Sequence, residues 1–328
     1  MALAPQIYVG GKYGTASIQH GGKAEDTLSY RLKELGLSVV NKLNEATYYL
    51  CLDINESELQ VLEKSQIPIT SRLLVVQEPE VVLPANYAKK NLKYFKLKVS
   101  VGREPGGSTP AFLWPQFRPN QSIISDSSRI DSGAVMVASN HLSFIKGELY
   151  SLRRICAFTI PTLQVFGRGW NHHKRMRLRI AAINLRDMIV YHKQISIRSL
   201  YFWFKDYGKT VHSPSDKFEV LKKYKTCLVI ENSQEFLSEK LFDAFFAKCI
   251  PVYVGPNVEN FEIPKNLVVQ CEPNIRSISE GIRKAEVMDY ESWHKELNQW
   301  LDLDQTMKRW SFESYVSEIS KMILQSSI

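Results

Sequence analysis

The sequence of 328 residues predicts an α/β protein of two domains, each built on a largely parallel sheet. Three observations carry that expectation. Short apolar, β-branched runs alternate with segments of helical period through the first half of the chain. Between residues 224 and 256 a strand, a polar turn, an amphipathic helix and a second strand follow one another as a βαβ unit. The composition, 44% hydrophobic and 23% charged over this length, suits two ordinary globular domains, which we divide as 1–155 and 156–328.

Along the chain, residues 6–9 read as a strand and 23–37 as an amphipathic helix bearing Leu28, Leu32, Leu35 and Leu37. A strand over 46–52, a short helix over 56–64 and a strand over 72–77, ending at Glu78, continue the alternation. Residues 99–132, rich in Gly, Pro and Ser, read as irregular connection. A strand over 134–138 and a helix over 144–157 lead into the second domain. The run 163–166 ends in Gly167-Arg168-Gly169, whose plain reading is a tight turn. Residues 173–193 have helical spacing, with Leu178, Ala181, Ala182, Leu185, Met188 and Ile189 on one apolar face beside Arg175, Arg179, Arg186 and Lys193. The aromatic run 200–204 follows. This helix reads either as a solvated basic face beside core aromatics or as a peripheral contact with an anionic membrane. From 277 onward the pattern is helical, with Trp293, Trp300 and Trp310 as packing residues.

The βαβ unit concentrates the chemistry. Residues 228–230 form a buried parallel strand, and Ser238 caps a helix whose first turn holds Glu239. Leu241, Phe242, Phe245, Phe246 and Cys249 recur at helical spacing, and Ile250-Pro251 ends the helix and opens a strand. Lys240 therefore sits at the positive end of a helix dipole, where a cation is unfavourable unless an anion faces it. A diphosphate resolves the conflict by accepting from the unpaired N–H groups and pairing with the ammonium. The plain alternative is an exposed pair between Lys240 and Asp243.

Bulk properties exclude several classes. Five cysteines, odd in number and without Cys-x-x-Cys or metal-ligand spacing, suit a reduced intracellular setting. No apolar stretch approaches the length of a membrane span, and the start is too short for a signal peptide, which suggests a soluble bacterial type of organisation or a truncated chain. The net charge of +8 suits a phosphorylated or anionic partner. No Lys/Arg-aromatic recognition module is evident, so a nucleic-acid partner is not expected.

Taken together, Glu231-Asn232-Ser233, Ser238-Glu239-Lys240-Leu241 and the run from Ile250 through Pro251 to Gly255 resemble the donor-binding signature of the α-1,3/4-fucosyltransferases, glycosyltransferase family 10. Phe261-Glu262-Ile263-Pro264 is similar to that family's continuation, and the likeness is clear over 218–270. Two fainter blocks agree. Val137-Ala138-Ser139-Asn140, followed by residues 145–150, is similar to the family's Ser-Asn step before an Arg-bearing helix. Residues 73–80 resemble the strand and acidic turn from which its base comes. Departures stand at donor contacts: the family's phosphate-binding Arg appears as Lys146, its Tyr as Phe236 and its Thr as Ser238.

The resemblance implies a GT-B arrangement, two Rossmann-like domains facing across a cleft, with the acceptor on the N-terminal one and the nucleotide sugar on the C-terminal one. It implies inverting transfer of fucose from GDP-fucose to a glycan hydroxyl, with no metal and no cofactor beyond the donor substrate. Glu78 is the implied base, with Glu80 two residues on as its rival. Lys146, Arg168, Glu231, Asn232, Ser233, Phe236, Glu239 and Lys240 are the implied donor-binding set. The implied location is cytoplasmic, with peripheral contact at the inner membrane left open. Three rival readings remain: a GT-B enzyme using another nucleotide sugar, a basic nucleic-acid-binding protein, and an inactive carbohydrate-binding relative.

Overall fold

A computed structural model describes residues 5–14, 28–100, 129–130, 132–208 and 211–325. The chain divides into two compact units, residues 1–121 with 303–328, and residues 122–302.

In the first unit the elements are β1 (Gln6–Gly10), α1 (Leu28–Glu34), β2 (Ser38–Val40), β3 (Tyr48–Leu52), α2 (Glu56–Glu63), β4 (Arg72–Val76), α3 (Lys89–Leu92) and β5 (Leu97–Ser100). The sheet runs β2-β1-β3-β4-β5 and all its pairings are parallel. Leu50, Cys51 and Leu52 of β3 and Leu73 to Val76 of β4 are buried, so these strands read as continuous apolar runs rather than alternating ones. Asn55 caps α2 by accepting from the Ser57 amide. Of the helix expected over 23–37, α1 supplies 28–34, with Leu28 and Leu32 buried and Leu35 exposed; 23–27 lie outside the described residues. So does most of the expected irregular connection, 101–128.

The second unit holds β6 (Ala134–Val137), α4 (Tyr150–Thr159), β7 (Leu163–Phe166), α5 (Lys174–Val190), α6 (Phe218–Leu221), β8 (Thr226–Ile230), α7 (Glu239–Phe246), β9 (Ile250–Val254), β10 (Val269–Gln270), α8 (Ile275–Val287) and α9 (Tyr290–Leu301). Its sheet runs β10-β9-β8-β6-β7, again all parallel. Trp293 and Trp300 are buried as expected, with Trp300 packed on Phe242 and Phe245.

The last helices, α10 (Asp304–Arg309) and α11 (Phe312–Gln325), belong to the first unit. There α11 packs on α1, and its Tyr315 hydroxyl accepts from Gln77 Nε2 at 2.9 Å, just past β4. The compact units therefore differ from the expected division at 155/156. β6 pairs with β7 and β8, which commits residues 134–137 to the second sheet, and the C-terminal helices bury Phe312, Tyr315, Val316 and Ile319 in the first unit.

Counted in chain order, both sheets have the strand order 2-1-3-4-5. In such sheets ligands bind outside the carboxyl ends of the strands, where the connections from the first and third strands part in opposite directions. The switch points are β1/β3 in the first unit and β6/β8 in the second.

Two expected helices differ in detail. The helix expected over 144–157 begins only at Tyr150, because Glu148 accepts from both the amide and the hydroxyl of Ser151 and fixes the start there. The apolar face expected on α5 is split: Leu178, Leu185 and Ile189 are 59%, 47% and 58% exposed, while Met188 is buried with Ala181 packed on its cluster, and Arg177 is buried beside them. The cause is Arg177, whose guanidinium donates to the carbonyls of Trp170, His172, Trp203 and Lys205 and so sets the rotation of the helix.

Candidate functional site

At the β6/β8 switch point a buried Arg spans the two strand ends. Arg153, in the first turn of α4, donates through Nε and Nη2 to the Ile230 carbonyl at 3.1 and 2.7 Å, and through Nη2 to Asn232 Oδ1 at 2.9 Å. Its Nη1 reaches the Ser139 carbonyl at 3.5 Å. Burial pulls the Arg153 pKa down, while Tyr150, Glu231, Glu239 and Glu148 pull it back up. This is the arginine of the helix that follows Ser139-Asn140. Lys146, which the resemblance makes the phosphate-binding cation, is exposed, and its side chain enters no hydrogen bond or ion pair among the described residues. The signal was present in Arg153-Arg154, masked by expecting the helix to begin six residues early.

The strand β8 delivers Glu231 to the start of α7. Its carboxylate is fully buried and accepts from the Ser238 amide at 3.0 Å and from the Ser238 hydroxyl. Ser238 in turn caps α7 and accepts from Lys240 Nζ at 2.8 Å. That ammonium lies 3.7 Å from Glu231 Oε2 and 3.7 Å from Glu239 Oε1, with the lysine side chain 20% exposed. Burial pushes the Glu231 pKa up, and Lys240 and the Ser238 donors offset part of that rise. Lys240 thus does not take Asp243 as its partner; Asp243 pairs with Lys217 instead. Gly255 is required here, because a Cβ at that position would stand 2.3 Å from the Tyr253 hydroxyl and 2.7 Å from Glu231 Cγ.

The remaining expected donor residues lie around this clamp. Ser233 is buried and its main chain bridges to Glu148, and Leu149 donates to the Asn232 carbonyl. Phe236 is a core residue. Arg168 is exposed beyond β7, and its carbonyl accepts from the Asn140 amide at 2.8 Å. The two glycines beside it allow that close approach, since a Cβ at Gly167 would meet the Ala138 carbonyl at 2.2 Å and one at Gly169 the Asn140 carbonyl at 2.6 Å. His141, which no sequence block singles out, stands on the rim beside Asn140. Partial burial holds its imidazole below the ordinary range, and Arg153, His172 and Lys240 add to that effect.

In the first unit, Glu78 follows β4 at the carboxyl edge of its sheet, half-buried, with its Oε1 accepting from the Tyr13 hydroxyl at 3.1 Å. Glu80 is likewise half-buried. A groove of about 760 Å³, lined by Leu43, Val61, Lys64, Ile67 and Pro68 among others, lies in the same unit. Its walls flank the amino ends of β3 and β4, the opposite edge from Glu78.

No family model matches the chain. A fucosyltransferase-like protein of Arabidopsis thaliana is 47% identical over 49 residues, which are 14% of this chain and 10% of that protein. Among solved structures, an α1,3-fucosyltransferase matches with a TM-score of 0.57 at 13% identity, covering 98% of this chain and 90% of that one. An α1,3-fucosyltransferase with GDP-fucose gives 0.53 at 14%, covering 98% and 90%. A DNA-modifying β-glucosyltransferase studied with uridine diphosphoglucose gives 0.53 at 9%, covering 97% and 99%. At such identities the likeness shows the fold: two parallel five-stranded sheets with helices, as in GT-B glycosyltransferases.

Proposed function

We propose that this GT-B chain is an inverting glycosyltransferase that moves fucose from GDP-fucose to a hydroxyl of a glycan. The observation that carries the proposal is the clamp at the start of α7. There a lysine, held by Ser238 and a buried Glu231, stands at a helix N-terminus beside the sheet's switch point. GT-B neighbours that use uridine diphosphoglucose match about as well by TM-score, so the choice of a guanine nucleotide and fucose rests on the sequence blocks over 218–270.

The chemistry needs two things. As the bond from the anomeric carbon to the diphosphate breaks, negative charge grows on the leaving group; Lys240 and the positive end of the α7 dipole stabilise it. As the acceptor oxygen bonds to that carbon from the opposite face, its proton must leave, and Glu78 takes it. Glu239 faces the sugar or ribose, while Arg153 and the buried Glu231 hold the loop and the lysine in place. His141, neutral at pH 7, adds a hydrogen-bonding group on the rim without adding charge.

We assign the exposed side of α5 to an anionic membrane. Over 174–205, leaving aside the buried Arg177, the seven cations Lys174, Arg175, Arg179, Arg186, Lys193, Arg198 and Lys205 stand against a single acid, Asp187. Ile195, Ile197 and Tyr201 extend its exposed apolar stripe. No described helix is long and apolar enough to cross a membrane. Donor hydrolysis with GDP-fucose, set against uridine and cytidine diphosphate sugars, tests the proposal. Turnover confined to GDP-fucose supports it, and turnover confined to a uridine donor replaces fucose with another sugar.

A further inference from the structure

At the first unit's switch point, β1/β3, lies a carboxyl that the transfer chemistry above does not use. Asp53, just past β3, is fully buried, and its backbone is left-handed at φ 56°. Its Oδ1 accepts three hydrogen bonds: from the Gln77 amide at 2.8 Å, the Glu78 amide at 3.3 Å and Asn86 Nδ2 at 2.5 Å. Asn86 also takes the Ile54 amide on its Oδ1 and reaches the Glu78 carbonyl at 3.4 Å. The Asp53 carbonyl accepts from the Lys12 amide at 2.8 Å, which ties down the loop whose Tyr13 hydroxyl donates to Glu78. Gly11 permits that approach, since a Cβ there would stand 2.4 Å from the Asp53 carbonyl oxygen. The other carboxyl oxygen, Oδ2, is buried with no hydrogen-bond partner.

A carboxylate with one oxygen bonded three times and the other left bare in the interior is costly when charged, whereas a proton on the bare oxygen removes the charge. We propose that Asp53 is the positioning residue of the Glu78 turn: it carries a proton on Oδ2, fixes Glu78 through the main chain of residues 77 and 78, and is coupled to the charge on Glu78. This rests on the reading of Glu78 as the base. The titratable groups around Asp53 are Glu78, Cys51 on its own strand, Tyr13 on the β1 loop, Glu58 of α2, which holds the Gly11 amide, and Tyr315 of α11. Burial, with a smaller push from Glu78, raises the Asp53 pKa to about 7 against the opposing pull of its donors. Asp53 gives up its proton only as pH rises through neutrality, and its new charge then faces the Glu78 carboxylate.

Carbon-13 NMR of the side-chain carboxyls in the unliganded protein tests this without substrate. The expected result is an Asp53 titration near neutrality that moves to lower pH in Glu78→Gln. An Asp53 midpoint in the ordinary carboxylate range, or one that Glu78→Gln leaves unmoved, overturns the inference. Asp53→Asn keeps an oxygen for the three donors and an N–H where the proton sat. In that variant the kcat profile is expected to lose its inflection near neutrality while donor KM is kept; a profile identical to wild type also overturns it. Should Glu78→Gln transfer at the wild-type rate while still moving the Asp53 midpoint, the base assignment alone fails.

Discussion

Lys240 and Glu78 differ in what holds them, so their removal should fail differently. Lys240 is the cation of a clamp whose anion, Glu231, is buried. Lys240→Ala is expected to abolish measurable transfer and weaken GDP binding. It should also cost about 1–3 kcal/mol of stability at neutral pH, because Glu231 loses a partner while keeping Ser238. Thermal denaturation beside a GDP titration separates these effects. Glu78 is half-buried and anchored through its backbone. Glu78→Gln is expected to lower turnover by about 10²–10⁴-fold with GDP affinity unchanged; unchanged turnover rejects it as the base. At this scale the sequence was legible where a short block fixes local geometry, as with the Ser238 cap and Lys240. It was not legible for Asp53, and for Arg153 only a place on a helix could be read, not the partners. The partners of Arg153 lie at Ile230 and Asn232, and those of Asp53 at Gln77, Glu78 and Asn86, pairings that only the folded sheets create.

Among the elements, α7 and α5 mark the limits of periodicity. α7 reads correctly because its buried face, Leu241, Phe242, Phe245 and Phe246, is apolar and its cap is a serine. α5 misleads because a buried guanidinium replaces an apolar anchor, and Arg177 turns the leucine stripe to solvent. That outward stripe makes a prediction. Leu185→Glu with Ile189→Glu should change folding stability by no more than about 0.5 kcal/mol per site, as exposed positions do. The pair should still abolish co-sedimentation with vesicles containing phosphatidylserine. Equal sedimentation of wild type and variant would remove the membrane assignment. For α4, Arg153→Lys keeps a charge but cannot bridge Ile230 and Asn232 at once, and it is expected to raise the donor KM at preserved secondary structure, measured by steady-state kinetics and circular dichroism.

At the scale of the whole molecule, each switch point carries a fully buried carboxyl, Asp53 and Glu231, both held above their ordinary pKa mainly by burial. The sign follows from linkage. Between the unfolded and folded values the native state binds more protons, so this contribution to stability is present at low pH and fades as pH rises. For Asp53 that window runs from 3.8 to about 7. A urea midpoint that falls across that range in wild type, and falls less in Asp53→Asn, is the expected outcome. Both sheets were legible as parallel α/β units from their apolar runs, whereas the return of α11 to the first unit was not, since its periodicity names a buried face without naming the surface it meets. Calorimetric titration of GDP into wild type and Lys240→Ala tests the central claim most directly. Saturable binding to wild type that is lost in the variant is the predicted result; equal affinity in both, or no binding of any guanine nucleotide to the folded wild-type protein, would contradict it.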